Sequence, residues 1–167
     1  FDFREYYHHP DVVEQPRKQV MQHMFAGDNV GLIIMRQIAG NNYSHFGVTD
    51  KINSHGTFYL GNKGQDYLCP LYLYPNTPAE IEMGVTRKAN INSEFIAKLK
   101  HTLCYTPTPE SIFNYIYAIF NSPTYRSRYF EFLKGDFPRV PMTRNVDLFH
   151  QLGELGEQLV NLHLMKS

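Results

Sequence analysis

Residues 36–44 carry side chains that could contact the edges of nucleic-acid bases. An arginine can donate two hydrogen bonds to guanine, and asparagine or glutamine can pair with adenine in the same way. The polar and aromatic candidates in this stretch are Arg36, Gln37, Asn41, Asn42, Tyr43 and Ser44. The same residue types are also common in turns between strands, so composition alone leaves both interpretations open.

Other polar and basic residues could hold phosphates, which fix a protein on a duplex without reading its sequence. These candidates are Asn62, Lys63, Arg87, Lys88, Lys134 and Arg139. The glycine-bounded turn around Lys63 lacks the Gly-x-x-x-x-Gly-Lys-Ser/Thr pattern of a phosphate loop. A solvated loop explains several of these residues equally well.

Two catalytic or metal-binding interpretations fail on geometry. Ser44, His45 and Asp50 have the residue types of a hydrolytic triad, but neighbours on a strand face opposite ways and no nucleophile-elbow motif is present. The adjacent pair His8 and His9 has no Cys, Asp or Glu at a familiar ligand spacing. We therefore predict neither a hydrolase centre nor a metal site.

Strand-forming segments are concentrated in the N-terminal half. Residues 30–35 are almost continuously apolar and β-branched, which predicts an interior strand. Residues 44–50 alternate and should pair with it as a hairpin that displays the polar residues at its tip. Further strands are predicted at residues 1–7, 57–60 and 67–75, and the prolines of the last indicate a sheet edge or the ends of strands.

Helices are predicted at residues 16–25, 92–103, 109–121 and 123–134 from apolar periodicity. Thr108-Pro109 and Ser122-Pro123 have the pattern of a cap followed by a first helical residue.

Around these helices we predict an exposed loop at residues 76–91 and an extended, proline-stiffened strap at residues 136–141. Gly135 should end the preceding helix in a left-handed conformation. The last helix carries leucines at heptad-like spacing, which predicts a contact seam with the earlier helices, with another domain of a longer parent chain or with another subunit. These leucines are Leu148, Leu152, Leu155, Leu159 and Leu162.

Composition indicates a folded domain with no strong charge. The 167 residues are 43% hydrophobic and 14% aromatic, and 16 basic residues balance 16 acidic ones. A neutral chain argues against a stand-alone nucleic-acid binder, but not against a module whose partner domain contacts most phosphates.

No run is long enough to cross a bilayer, so no membrane partner is expected. Cys69 and Cys104 are predicted to be buried free thiols, which fits the cytoplasm.

Four blocks of sequence carry a family resemblance. "NVGLIIMRQ", "SHFGVTDKI", "YLCPLYLYP" and "IFNYIYAIFNSPTYRSRYFEFLKGDFPRVP" occur here in order. Together they resemble the C-terminal target-recognition domain of type ISP restriction–modification enzymes and of related large adenine-specific DNA methyltransferases. The resemblance implies double-stranded DNA and a preceding methyltransferase domain as partners. It also implies a chain excised from a longer protein, which agrees with a strand-like start without Met.

Catalytic motifs of those enzymes are missing from this sequence. It has no glycine-rich S-adenosylmethionine loop and no Asn/Asp-Pro-Pro-Tyr/Phe motif, and Glu131 and Lys134 have the wrong spacing for a nuclease. Helicase motor motifs are absent too. We therefore predict a non-catalytic fragment with no cofactor of its own, whose parent uses S-adenosylmethionine.

The predicted fold is α+β, with a twisted mixed or antiparallel sheet in the N-terminal half covered by a C-terminal helical layer. Residues 1–167 form one domain, with strands mainly in 1–75, a loop in 76–91 and helices in 92–167. The predicted function is sequence-specific recognition of duplex DNA. The alternative is a docking or scaffold domain within a larger DNA-modifying enzyme.

Overall fold

The computed structural model describes residues 17–38, 40, 43–53, 56–58 and 65–166. Its strands are β1 (Gly31–Met35), β2 (Phe46–Thr49), β3 (Asp66–Pro70), β4 (Tyr72–Leu73) and β5 (Lys88–Ala89). Its helices are α1 (Lys18–Phe25), α2 (Pro78–Glu82), α3 (Ser93–Leu103), α4 (Pro109–Asn121), α5 (Pro123–Arg128), α6 (Phe130–Leu133) and α7 (Val146–His163). The predicted strand at residues 1–7 and the pair His8-His9 lie outside the described residues.

The apolar strand β1 is the centre of a three-stranded antiparallel sheet ordered β2-β1-β3. Ile33 lies opposite Gly47 of β2 on one side and Leu68 of β3 on the other. Four of the five β1 residues are buried, as expected for a strand that is covered on both faces. The predicted interior strand and its antiparallel pairing with β2 are confirmed, and among the described strands β3 lies at an edge of the sheet.

The predicted strand at residues 67–75 divides into two. Pro70 ends β3, and the chain then turns so that β4 pairs with β5 in a separate two-stranded sheet. At the break, the Leu71 amide donates to the Val30 carbonyl at 2.8 Å and the Asn90 amide donates to the Leu71 carbonyl at 2.8 Å. Leu71 therefore joins the two sheets.

Asn29 holds the start of β1 against its neighbours. Its buried side-chain amide donates to the carbonyls of His23, at 2.9 Å, and Tyr72, at 2.8 Å. Its side-chain oxygen accepts from the amides of Val30 and Tyr72, each at 3.0 Å. One side chain thus satisfies four backbone groups, which belong to α1, to β4 and to Val30 just before β1.

A helical layer packs on the sheet, which confirms the α+β prediction. Phe46 of β2 stacks on Phe120 of α4 with ring centroids 4.6 Å apart. Both rings are buried in the core that joins sheet and helices. A second cluster joins α3, α4 and α7, and includes Leu99, Tyr115 and Phe149.

Side-chain caps begin the helices where the sequence predicts them. Thr108 Oγ1 accepts from the Ser111 amide at 3.1 Å, and Ser122 Oγ accepts from the Tyr125 amide at 3.4 Å. Asn92 caps α3 through the Glu94 and Phe95 amides. Each cap satisfies amides that have no partner within the helix.

Helix α7 lies along α4, but not through the predicted leucine seam. Its buried residues are Phe149, Gly156 and Val160. A Cβ on Gly156 would lie 1.9 Å from the backbone oxygen of Asn114, so only glycine lets the two backbones approach this closely. This contact fixes the rotation of α7 about its axis.

The rotation leaves part of the predicted seam in solvent. Leu148, Leu155 and Leu162 are 43%, 53% and 57% exposed, and we call these three residues the leucine ridge. Leu152 and Leu159 are half-buried. The ridge therefore does not lie along the earlier helices, because the glycine contact and not the leucine repeat determines which face meets α4. The alternative, that the ridge contacts a methyltransferase domain or another subunit, stays a prediction.

Several local predictions also need correction. Residues 76–91 are not only loop, since they include α2, with a Thr77–Glu80 capping box, and β5. The predicted helix at 123–134 is divided at Tyr129 into α5 and α6. Among the described residues the positive-φ glycines are Gly56 and Gly84, so Gly135 is not left-handed.

Two further corrections concern single residues. Thr57 and Phe58 lie in a turn, so the described part of the predicted strand at 57–60 is not extended. Cys69 and Cys104 are both free, but Cys104 is exposed at the C-cap of α3 with φ of 60°.

Across the described part of the chain, no helix combines the length and apolar character needed to cross a bilayer.

Candidate nucleic-acid interface

The residues that follow β1 lie against the strap. Gln37 Nε2 donates to the Gly135 carbonyl at 3.4 Å, and the Ile38 amide donates to the Lys134 carbonyl at 3.4 Å. The Arg36 guanidinium lies 5.8 Å from the ring centroid of Phe137. Two segments about a hundred residues apart in sequence therefore form one surface.

The strap is anchored from beneath by two tyrosines of the helical layer. Tyr125 donates its hydroxyl to the Arg139 carbonyl, and Tyr115 donates to the Pro141 carbonyl, each at 2.8 Å. Burial, together with the nearby Tyr129, raises the pKa of Tyr125 to about 12. The hydroxyl is therefore protonated, and able to donate, at any physiological pH.

The cations on this surface are paired loosely with acids. Arg36 and Arg139 lie 3.9 and 3.6 Å from the carboxylate of Asp136, and Lys134 lies 3.7 Å from Glu131. Arg139 is 90% exposed at its side chain and Arg36 57%. Exposed pairs of this kind are worth about 0–1 kcal/mol. The cations can therefore exchange their partners for phosphates or base edges at little cost.

We call this region the hairpin–strap surface. It consists of Arg36, Gln37, Lys134, Phe137 and Arg139. Four of its five residues are predicted contacts from the sequence. Phe137 is the addition, and nothing in its sequence surroundings predicts its position. Its ring also contacts that of Tyr67 edge-on, with centroids 5.1 Å apart.

Arg87 and Lys88 lie elsewhere, at the opposite end of β1. The Arg87 guanidinium stacks 3.9 Å from the ring centroid of Tyr72 and donates to the Asp28 carbonyl at 3.5 Å. Asp28 precedes β1, whereas Arg36 follows it. A five-residue strand spans roughly 17 Å, so the two groups of cations are separated by about that distance.

A cavity of about 680 Å³ adjoins Arg87. Charges of both signs line it, including the pair formed by Asp50 and Lys166 at 2.7 Å. The Tyr72 hydroxyl donates to the carboxylate of Glu110 within it. These groups already satisfy one another, so the arrangement favours a structural role.

Tyr43 is a core residue and not a surface contact, which corrects its prediction as a DNA-binding residue. It is 0% exposed, and its hydroxyl donates to the Met35 carbonyl at 2.6 Å. Burial raises the pKa of this phenol strongly. Tyr43 thus ties the segment just before β2 to the last residue of β1 from inside the core.

The remaining predicted contacts are placed only in part. Ser44 is exposed next to Tyr43. The predicted contacts Asn41, Asn42, Asn62 and Lys63 lie outside the described residues. Within the ranges that are described, no group of three or more His, Cys, Asp or Glu side chains could hold a metal ion.

Two solved structures share this fold. The first is a cryo-EM structure of a DrdV–DNA complex. The protein sequences are 26% identical and the TM-score is 0.62, and the match covers 83% of this chain and 12% of that chain. The second is a nuclease-deletion mutant of the Type ISP restriction-modification enzyme LlaGI in complex with a DNA substrate mimic. Its sequence is 23% identical and the TM-score is 0.52. The match covers 83% of this chain and 10% of that chain, and it shows a likeness of fold alone.

The chain thus corresponds to about a tenth of the length of those proteins. No curated protein sequence matches it. It belongs to the Type ISP C-terminal specificity domain family, which it matches over residues 1–167. This membership confirms the resemblance found in the sequence to a type ISP C-terminal specificity domain.

Proposed function

We propose that this domain recognises a short sequence in duplex DNA through the hairpin–strap surface. The observation that carries the proposal is the convergence of Arg36, Gln37, Lys134 and Arg139 on one exposed surface, although they come from distant parts of the sequence. The family is one of specificity domains, and both similar structures are complexes with DNA or a DNA mimic.

The roles follow from the chemistry of each group. Arg36 can donate to both acceptors of guanine and Gln37 can pair with adenine, so these residues read base edges in the major groove. Lys134 and Arg139 neutralise phosphates on either side and hold the register. Arg87 and Lys88, about 17 Å away along β1, contact the backbone of an adjacent part of the duplex.

The work of the domain is to hold the target sequence for catalysis by another part of the protein. We propose that the complete protein carries a preceding methyltransferase domain that uses S-adenosylmethionine to methylate an adenine in this sequence. The adenine is flipped out of the duplex for that reaction. The domain itself contributes no catalytic group, and the protein acts in the cytoplasm, where its DNA is.

A methylation map tests base reading directly. The complete protein is expressed in a host without other adenine methylation, and every modified site is sequenced. The wild type should mark one short motif. The double variant Arg36→Ala/Gln37→Ala should relax the motif at one or two positions, because each lost bidentate contact removes about 1–3 kcal/mol of discrimination. An unchanged motif would assign base reading to another loop.

Salt dependence separates phosphate contacts from base contacts. Arg139→Ala should weaken binding of all duplexes alike and reduce the slope of log K against log salt by about 1. Lys98→Ala is the matched control, since Lys98 is exposed on α3 and lies outside the hairpin–strap surface. Equal effects of the two variants would mean that Arg139 does not contact DNA.

A further inference from the structure

A cavity of about 590 Å³ opens beside the hairpin–strap surface, between α5, α6 and the strap. Its size falls within the range of about 300–1,000 Å³ that ligand pockets occupy. The aromatic residues that line it include Tyr129, Phe132 and Phe137, and its charged residues are Glu131, Asp136 and Arg139. An aromatic cavity thus shares Phe137 and Arg139 with the surface that we propose contacts DNA.

The two phenylalanines of this cavity differ in how they are held. Phe137 is 38% exposed, and its ring contacts that of Tyr67 and lies near the Arg36 guanidinium. Phe132 is 76% exposed on α6. Burying a phenylalanine is ordinarily favourable by about 1.5–3 kcal/mol, so a ring left in solvent at a cavity wall favours an additional partner.

The chemistry of the cavity matches that of a nucleotide. Planar bases stack on aromatic rings, and their edges offer donors to a carboxylate such as that of Asp136. Arg139 lies 3.6 Å from Asp136 and is 90% exposed, so its guanidinium can reach the phosphate attached to a stacked base. An apolar side chain of a protein partner would use the rings but not the charged pair.

We infer that this cavity receives one unstacked nucleobase of the bound DNA, with its phosphate on Arg139. The inference rests on the proposed function. Taking a base out of the duplex costs a few kcal/mol, and stacking on an aromatic side chain returns about 1–3 kcal/mol per base. The two terms are of similar size. The cavity therefore favours positions where the duplex opens easily, and it adds to specificity without reading a base edge in the groove.

Photo-crosslinking tests the contact. Duplexes are made that contain the motif identified by the methylation map, with 5-iodouracil in place of one thymine at a time. Each duplex is bound to the complete protein and irradiated. The crosslinked peptide is then identified by mass spectrometry. A crosslink to Phe132 or Phe137 from a single position is the expected result. Specific binding with crosslinks only to other residues overturns the inference.

Variants provide a second measure. Phe132→Ala should weaken specific binding by between about five- and 150-fold, and Phe132→Tyr should restore it, because the ring is what stacks. Phe132 is 76% exposed, so folding should survive its truncation. Met83→Ala is the matched control, since Met83 is 73% exposed at the end of α2 and does not line the cavity.

The outcomes also separate this inference from the proposed function. If Arg36→Ala relaxes the motif while Phe132→Ala binds like wild type, the surface reads DNA and the cavity does not hold a base. If Phe132→Ala leaves DNA affinity unchanged but makes the link to the rest of the protein sensitive to proteolysis, the cavity is a contact with another domain. Both results overturn the inference and leave the proposed function standing.

Discussion

Replacing Gly156 by alanine should destabilise the domain, although alanine is the better helix former. The added Cβ would lie 1.9 Å from the Asn114 oxygen, whereas an ordinary contact is at least 3.4 Å, so α7 and α4 must separate locally by about 1.5 Å. Overpacking of this kind costs about 1–3 kcal/mol, and loss of packing around Phe149 adds to it. The helix propensity of alanine returns about 1 kcal/mol.

The expected balance is a loss of about 2 kcal/mol in the free energy of unfolding. For a chain of this length it lowers Tm by about 4–8 °C. Gly153 is a matched control in the same helix, because a Cβ there would lie 3.9 Å from the Ser111 oxygen. Gly153→Ala should raise Tm by up to about 4 °C. If Gly156→Ala proves as stable as Gly153→Ala, the two backbones do not approach as described.

Three further changes can be followed by urea denaturation. Tyr125→Phe should lower the free energy of unfolding by about 1 kcal/mol and speed amide hydrogen exchange in the strap, because the Arg139 carbonyl loses its donor. Unchanged exchange would mean that this hydrogen bond does not anchor the strap. Asn29→Ala should cost roughly 2–4 kcal/mol, since four backbone groups lose their partner, and a smaller loss would mean that water replaces it. Burial alone would raise the pKa of Asp50, but the hydrogen bond and charge of Lys166 lower it below its ordinary 3.8. The ion pair of Asp50 and Lys166 therefore stabilises the fold by up to about 1 kcal/mol above pH 3.8. This stabilisation is lost as the pH falls through the lowered pKa of Asp50. Lys166→Met should be less stable than wild type at pH 6 and equal to it at pH 2; a gap independent of pH would contradict the linkage.

Local signals in the sequence predict much of this fold. Thr108-Pro109 and Ser122-Pro123 begin helices because their side chains and fixed φ angles act within a few residues. The apolar run at 30–35 forms the central strand because a position covered on both sides buries most of it. These features depend on chemistry that neighbours in sequence supply.

The features that the sequence does not predict depend on contacts between distant residues. The leucine repeat of α7 does not mark the face that meets α4, because a single close approach at Gly156 fixes the rotation of the helix. Asn29 looks like a loop residue, yet it bonds to Tyr72, which is 43 positions away.

The candidate surface shows the same division. Residue chemistry singles out Arg36, Gln37, Lys134 and Arg139, but only the fold shows that they meet and that Arg87 lies apart from them. Tyr43 has the same apparent chemistry as its neighbours in sequence, and its complete burial cannot be read from a polar turn. Residue types in the sequence thus identify candidate contacts, and the packing of the fold determines which of them are exposed.

The leucine ridge of α7 also affects how the isolated domain should be handled in solution. Its three side chains are exposed on a chain whose charges cancel and whose isoelectric point is about 7.2. Electrostatic repulsion, which keeps proteins dispersed, is therefore weakest near neutral pH. A buffer near pH 6 should improve solubility, because that pH lies below the isoelectric point and gives every molecule a net positive charge.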